Sequence, residues 1–159
     1  MYFRSFLTDV NGNPNLKNNN GQTSLHLVCQ VKSEIKRVPT NVNIIEVDHQ
    51  KTNSALERRA YSVMLLLSWR GKTNHGRRSS WHDSSRLDIN CRDVVGNTAL
   101  HYAAQSGLKQ CVEFLVAHEA DLFMENNEGK TACDLAVVCG HHEVALVLEV
   151  SFSSTICAS

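Results

Sequence analysis

The chain has no net charge of either sign. Its 16 Lys and Arg residues balance 16 Asp and Glu over 159 positions. No overall field therefore draws it to nucleic acid or to an anionic membrane. No apolar run approaches the ~20 residues that a membrane-spanning helix requires. Met1 to Asn13 lacks the apolar stretch and small-residue cleavage site of a secretory signal. The six cysteines follow no paired spacing. Without a signal they are expected as reduced thiols, in the cytosol or nucleus. The length suits one domain of ordinary size.

What is present is a repeat. Gly96-Asn97-Thr98-Ala99-Leu100-His101-Tyr102-Ala103-Ala104 is answered thirty-three positions later by Gly129-Lys130-Thr131-Ala132-Cys133-Asp134-Leu135-Ala136-Val137. Gly107 and Gly140 keep the same offset, and an earlier copy runs from Gly21 to Cys29. A fixed period of this size means stacked supersecondary units that share a core with their neighbours. Thr98 stands where a helix begins and can cap it through its hydroxyl. Leu100, Ala103 and Ala104 then fall at i, i+3 and i+4, one helical face. Gly107 permits a sharp reversal. Leu108, Cys111, Val112, Leu115 and Val116 line a second helix. The polar stretches Asn90 to Gly96 and Glu119 to Gly129 suit hairpins between units.

The first copy is stretched. Leu25, Val28 and Cys29 match the first helix, and Ala60, Val63, Met64 and Leu67 are expected to line its partner. Polar insertions account for the difference, at about 30–56 and 72–88, and should emerge as loops. The expected units are 1–15, the tail of a preceding repeat; 16–89, a repeat with both insertions; 90–122, a repeat; 123–150, a final repeat; and 151–159, a tail. Val144 to Val150 is apolar nearly all round, whereas a terminal repeat in water needs a polar face. Phe152 and Ile156 are placed to cover part of it. The simplest expectation is a fragment, or a short isoform, of something longer.

The pattern Gly96, Thr98, Leu100, His101, Ala103, Ala104, Ser106, Gly107 and Cys111 to Val116 resembles an ankyrin repeat. The resemblance implies an all-α solenoid of helix-turn-helix units joined by hairpin loops, usually monomeric. Proline is absent at Ser24, Ala99 and Ala132, where the family often has it, and Cys133-Asp134 replaces Leu-His in the last copy. A narrower set adds Gly12-Asn13-Pro14-Asn15, Thr23 to Cys29, Leu67-Ser68-Trp69-Arg70-Gly71, Asp121 to Asn126 and Thr131 to Ala136. That set resembles the N-terminal ankyrin region of the ankyrin-repeat and IBR-domain ubiquitin ligases, across nearly the whole chain. Those ligases carry a RING-between-RING catalytic unit after the ankyrin region. None of its dense Cys and His zinc clusters is present here, so no ligase chemistry is assigned to any residue of this chain.

Several residue groups admit other chemistry. Thr23 with His26, and Thr98 with His101, resemble catalytic pairs, but no orienting carboxylate recurs beside them. By the family resemblance they tie a helix start to the adjoining loop, which gives both imidazole nitrogens a partner. Cys133, Cys139, His141 and His142 are the best zinc candidates, in a spacing that matches no usual tetrahedral site. No metal or other cofactor is expected. A zinc or thiol enzyme built on Cys133, Cys139 and His141 is the competing reading. Trp69, Arg70, Lys72, His75, Arg77, Arg78 and Trp81 mix cations with aromatics as nucleic-acid surfaces do. Overall neutrality favours a solvated loop there. Arg77-Arg78-Ser79-Ser80 has the pattern of a basophilic kinase site, with Ser80 as acceptor.

The preferred partner-binding surface is the hairpin tips with the concave face of the first helices, because stacking consumes the other faces. Its candidates are Arg92, Val94, Val95, Tyr102, Gln105, Glu125, Asn126 and Asn127. Tyr and Arg are frequent anchors at interfaces. The expected function is a protein-interaction module that recruits a protein partner or ubiquitination substrate to a RING-between-RING ligase. A free-standing ankyrin scaffold is the alternative. No nucleic acid and no membrane is expected as a partner.

Overall fold

The computed structural model describes residues 13–30, 49–68 and 87–157, with side chains described for 13–30, 55–68 and 87–153. Six helices follow in order: α1 Ser24–Cys29, α2 His49–Leu67, α3 Ala99–Gln105, α4 Lys109–Ala117, α5 Ala132–Val138 and α6 His142–Cys157. No strand occurs among the described residues. Each short first helix begins after a threonine in extended conformation, namely Thr23, Thr98 and Thr131. These N-caps stop the extended hairpin and start the helix at the same register three times.

The helices form two layers. α1, α3 and α5 pack side by side in one, and α2, α4 and α6 in the other. Within each repeat the two helices also pack on each other. Small residues let the first layer close up: Cys29, Ala99, Ala103, Ala104, Ala132 and Ala136 are buried there. Leu66, Val112, Leu115, Val144 and Leu148 fill the second layer. A buried Leu or Val contributes about 1.5–3 kcal/mol by leaving water, so the shared seam carries most of the stability. Cys29, Ala104 and Val137 occupy one register in successive layers. The first two are wholly buried, and Val137 is 52% exposed.

Local expectations are corrected in three places. In α2 it is Leu66 that is fully buried, while Met64 faces outward and Leu67 is half-buried. Leu66 therefore takes the place of Leu115, one residue earlier than the spacing suggests. α2 also starts at His49, so residues 49–56, expected as loop, are helical. α6 runs on to Cys157, so 151–157 is helix, not a tail. Phe152 lies half-buried on it and packs on Phe123 with ring centroids 4.9 Å apart. At α3 the Thr98 side chain faces the backbone of the third helical residue, as expected. The His101 ring in turn accepts the Thr98 N–H at 3.2 Å, with the Thr98 hydroxyl 2.9 Å from the ring, so the two complete a capping box. The earlier-repeat tail over 1–12 and the inserted residues 31–48 and 72–86 lie outside the described residues.

Neighbouring hairpins approach closely. Val94 N–H donates to Asn20 O at 3.1 Å, and Asn127 N–H to Val95 O at 3.1 Å. Gly96 has φ +81°, and a Cβ there would lie 2.9 Å from the Asn127 nitrogen. Gly129 has φ +69° with no atom within 4 Å of such a Cβ. Alanine at either site suffers the left-handed penalty of about 1–2 kcal/mol. Only at Gly96 does it also collide with the next hairpin, for about 1–3 kcal/mol more. Gly96→Ala should therefore lower the urea midpoint well below that of Gly129→Ala. Equal midpoints would contradict the hairpin contact.

Candidate functional site

Two buried histidines close the junctions between repeats. His26 Nδ1 accepts the Thr23 N–H at 3.1 Å and lies 2.8 Å from the Thr23 hydroxyl. Its Nε2 lies 3.1 Å from Asn97 O in the next hairpin. His101 repeats this with Thr98 and with Lys130 O at 3.1 Å. A carbonyl accepts only, so each Nε2 carries the proton and each Nδ1 is the acceptor. The rings are neutral. Burial holds both imidazoles below their ordinary value of 6.5, against the opposing pull of the Asn97 and Lys130 carbonyls. Neither ring has the exposed nucleophile or orienting carboxylate of a catalytic pair.

Two further links run in the same direction. Lys17 Nζ donates to Arg92 O at 3.0 Å, and Arg92 Nη2 donates to Glu125 O at 2.9 Å. Asn15 Oδ1 accepts the Asp88 N–H at 2.7 Å, and Asn90 Oδ1 accepts the Asp121 N–H at 2.9 Å. The third repeat places Phe123, Glu125 and Asp134 at the matching positions. Asp134 keeps the local half of the histidine's work, taking the Thr131 N–H at 2.8 Å and the Thr131 hydroxyl at 2.7 Å. Those two bonds hold its carboxyl below the usual carboxylate value.

The candidate binding residues divide into two groups. Val94 is 63% exposed, and Val95, Gln105, Glu125 and Asn127 are exposed as well. Tyr102 and Asn126 are each only 7% exposed and do not belong to the surface. Tyr102 donates its hydroxyl to Asp93 Oδ2 at 2.6 Å and accepts Gln22 Nε2 at 3.2 Å, binding the first repeat to the second. Asn126 Oδ1 accepts the Glu128 and Lys130 N–H groups and so shapes its own hairpin. Its amide donates to Asn97 Oδ1 at 3.0 Å. Arg92 is exposed, yet its guanidinium is committed to Gly96 O and Glu125 O. Arg92 thus belongs to the framework as much as to any interface. None of these three carries a local sign of its cross-repeat partner in the sequence.

The cysteines and remaining histidines are dispersed. Cys29, Cys91, Cys111, Cys133 and Cys139 are free thiols. Burial raises the Cys29 thiol far above its ordinary value and pushes Cys111 up to about 11, which suits packing and not nucleophilic attack. Cys133 Sγ reaches Ala145 O at 4.0 Å, and Cys139 is exposed at the end of α5. His141 lies with Nε2 3.1 Å from Gln105 O, a further link between repeats that the sequence did not suggest. No three His, Cys, Asp or Glu side chains group to hold a metal among the described residues. Ser80 and the basic, aromatic cluster from Trp69 to Trp81 lie outside the described residues.

Comparison with known proteins agrees with this geometry. A family model for ankyrin repeats, in three copies, matches residues 65–151. The chain is 39% identical over 150 residues, 91% of its length, to "Ankyrin repeat and IBR domain-containing protein 1" of Mus musculus. It is 39% identical over 143 residues to the Homo sapiens protein of that name. It spans about 12% of the length of each of those relatives. It is also 41% identical over 68 residues, 43% of each chain, to "Ankyrin repeat domain-containing protein 37" of Bos taurus. The chain belongs to the ankyrin-repeat family, and its stack is a protein-interaction module.

Two measurements check the junctions. Folding keeps His26 and His101 neutral below the value of 6.5 at which the unfolded chain takes up protons. Between that value and the lower native values the unfolded state binds more protons, so stability must fall as pH falls. Urea midpoints should be flat above pH 7 and drop below pH 6.5. A double His26→Gln, His101→Gln variant should start less stable and lose much of that slope; an unchanged slope would remove the histidines as its source. Separately, Tyr102→Phe leaves buried Asp93 and Gln22 without their shared hydroxyl. It should cost about 1–3 kcal/mol in urea unfolding, and a loss near zero would show the link to be idle.

Proposed function

We propose that this ankyrin-repeat chain recruits a protein partner or ubiquitination substrate to a RING-between-RING ubiquitin ligase, acting through its hairpin tips and the adjoining first-helix face. The observation that carries the surface is the outward display of Val94 and Val95. Their backbone groups hold the neighbouring hairpins, through Val94 N–H to Asn20 O and Val95 O from Asn127 N–H, while their side chains stand in solvent. Packing leaves these side chains unused, and exposed aliphatic groups on a rigid ladder are suited to docking. Asn127 stands beside them with its Nδ2 donating to Val94 O at 3.1 Å, and Gln105 is exposed at the far end of α3. The link to a ligase is supported by the likeness to a protein whose name includes an IBR domain, over 91% of this chain. Any transfer of ubiquitin would belong to parts of that larger assembly other than these repeats. Reduced thiols such as these cysteines, which follow no paired spacing, suit the cytosol or nucleus, and the usual habit of ankyrin stacks supports action as a monomer.

Val94→Ser with Val95→Ser spares the backbone ladder and removes the apolar tips. Quantitative pull-down from cells should recover partner at least tenfold less well with this variant, about 1.4 kcal/mol of binding, with the helical circular dichroism unchanged. Equal recovery would dismiss the surface. Reading the transcript beyond Ser159 tests the ligase link. A cysteine- and histidine-rich continuation with zinc-ligand spacing supports it, and a stop without one favours a free-standing scaffold.

A further inference from the structure

The outer end of the third repeat differs from both internal junctions in a consistent way. At the internal junctions each repeat reaches forward with the same three devices. Asn15 and Asn90 accept a loop N–H, Lys17 and Arg92 donate to a hairpin carbonyl, and His26 and His101 donate to a second carbonyl. Phe123, Glu125 and Asp134 replace all three. Neither carboxylate can give a proton to a carbonyl at neutral pH. A further repeat presenting the same two carbonyls would meet two negative charges where it needs two donors.

The face is nevertheless not finished as a cap. A terminal repeat exposed to water needs a polar outer surface. Here Val137 stands at the register where Cys29 and Ala104 are buried, and Val138, at the position of Gln105, is 70% exposed. Asp134, Val137 and Val138 are spaced i, i+3 and i+4 and share one side of α5. The backbone around Gly129 is open, where the matching Gly21 and Gly96 are covered by the following hairpin. Glu128 is paired with Lys130 at 2.8 Å, and no donor reaches the Glu125 carboxylate among the described residues.

We infer that this end, with Val137 and Val138 at its centre and Glu125 and Asp134 at its margin, docks a partner segment that is both basic and apolar. Aliphatic or aromatic side chains of the segment cover the two valines. Its Lys or Arg groups donate to the Glu125 and Asp134 carboxylates, which the carbonyls of a further repeat could not do. Its centre on α5 is separate from the tips at Val94 and Val95, and Glu125 alone is shared with the candidate binding residues, so it holds whether or not Val94 and Val95 bind a partner.

The test uses the whole 159-residue chain, ¹⁵N-labelled, titrated with an eight-residue peptide of alternating Arg and Leu and with its Glu–Leu counterpart. Shifts should concentrate at Glu125, Gly129, Asp134, Val137 and Val138 with the basic peptide only, and weaken as salt rises. Glu125→Arg with Asp134→His restores the residue types of the second repeat, and a histidine at 134 can take the Thr131 N–H as His101 takes that of Thr98. That variant should stay folded and bind the basic peptide at least tenfold more weakly. Val94→Ser with Val95→Ser should bind it as the parent does. The inference fails if the acidic peptide shifts the same residues equally, if the shifts lie elsewhere, or if the restored variant binds undiminished. It fails also if the chain associates with itself through this end, which would make a second copy the occupant.

Discussion

A buried imidazole that must find partners for both nitrogens governs this architecture. Nδ1 is satisfied within the repeat, by Thr23 or Thr98, and Nε2 only by a carbonyl of the next repeat, Asn97 or Lys130. Leaving such a donor unpaired in the interior costs about 1–3 kcal/mol. A repeat carrying this histidine is thus incomplete until the following hairpin arrives. The hydrogen bond gives the stack its direction and register, which an apolar seam alone would leave loose. Every buried side-chain nitrogen and oxygen of the described residues has a partner, so the polar part of each junction is closed.

The apolar seam supplies the energy that the hydrogen bonds orient. Alanines at 99, 103, 104, 132 and 136 bring first-layer helices close enough for the imidazole to span the gap. A larger side chain at Ala104 would push α5 away and break the His101–Lys130 link with it. Packing and hydrogen bonding are therefore coupled at each junction. The stretched first repeat obeys the same rule: Arg59 crosses from α2 to hold the Val28 and Gln30 carbonyls at the end of α1 at 3.2 and 3.4 Å. The long insertion between those helices is bridged by a side chain where the ordinary repeat uses a glycine turn.

Much of this was legible in the sequence because it is local or strictly periodic. The thirty-three-residue spacing, the threonine before each first helix and the glycine between paired helices each repeat at fixed offsets. The layered register of Cys29, Ala104 and Val137 followed from them. What escaped reading depends on contacts between distant positions. Tyr102 reads as an exposed aromatic until Gln22 and Asp93 are seen to enclose it. Asn126 reads as a polar loop residue until its two backbone partners are known. In α2, three successive leucines at 65–67 offer two equally periodic choices, and only packing against α4 selects Leu66. The helical course of residues 49–56 and 151–157 likewise has no repeat partner from which to be inferred. Reading the chain by columns would have exposed one signal: Asn15 with Asn90 against Phe123, Lys17 with Arg92 against Glu125, and His26 with His101 against Asp134.

Those three columns bear on how a repeat protein alters an interface it has built twice. The outer face of a repeat has two simple physical options: be polar, or stay competent for another copy. The third repeat does neither. It discards the forward donors, which removes the specificity for another copy, and it keeps the aliphatic seam at Val137, which retains the drive to be covered. Asp134 shows the economy of the change. A carboxylate preserves both bonds to Thr131 that start α5, so the helix is undisturbed, while the outward donor is exchanged for a negative charge. One side chain thus separates the local task of beginning a helix from the long-range task of choosing a neighbour. The choice then passes to whatever chemistry can meet a carboxylate beside exposed valine.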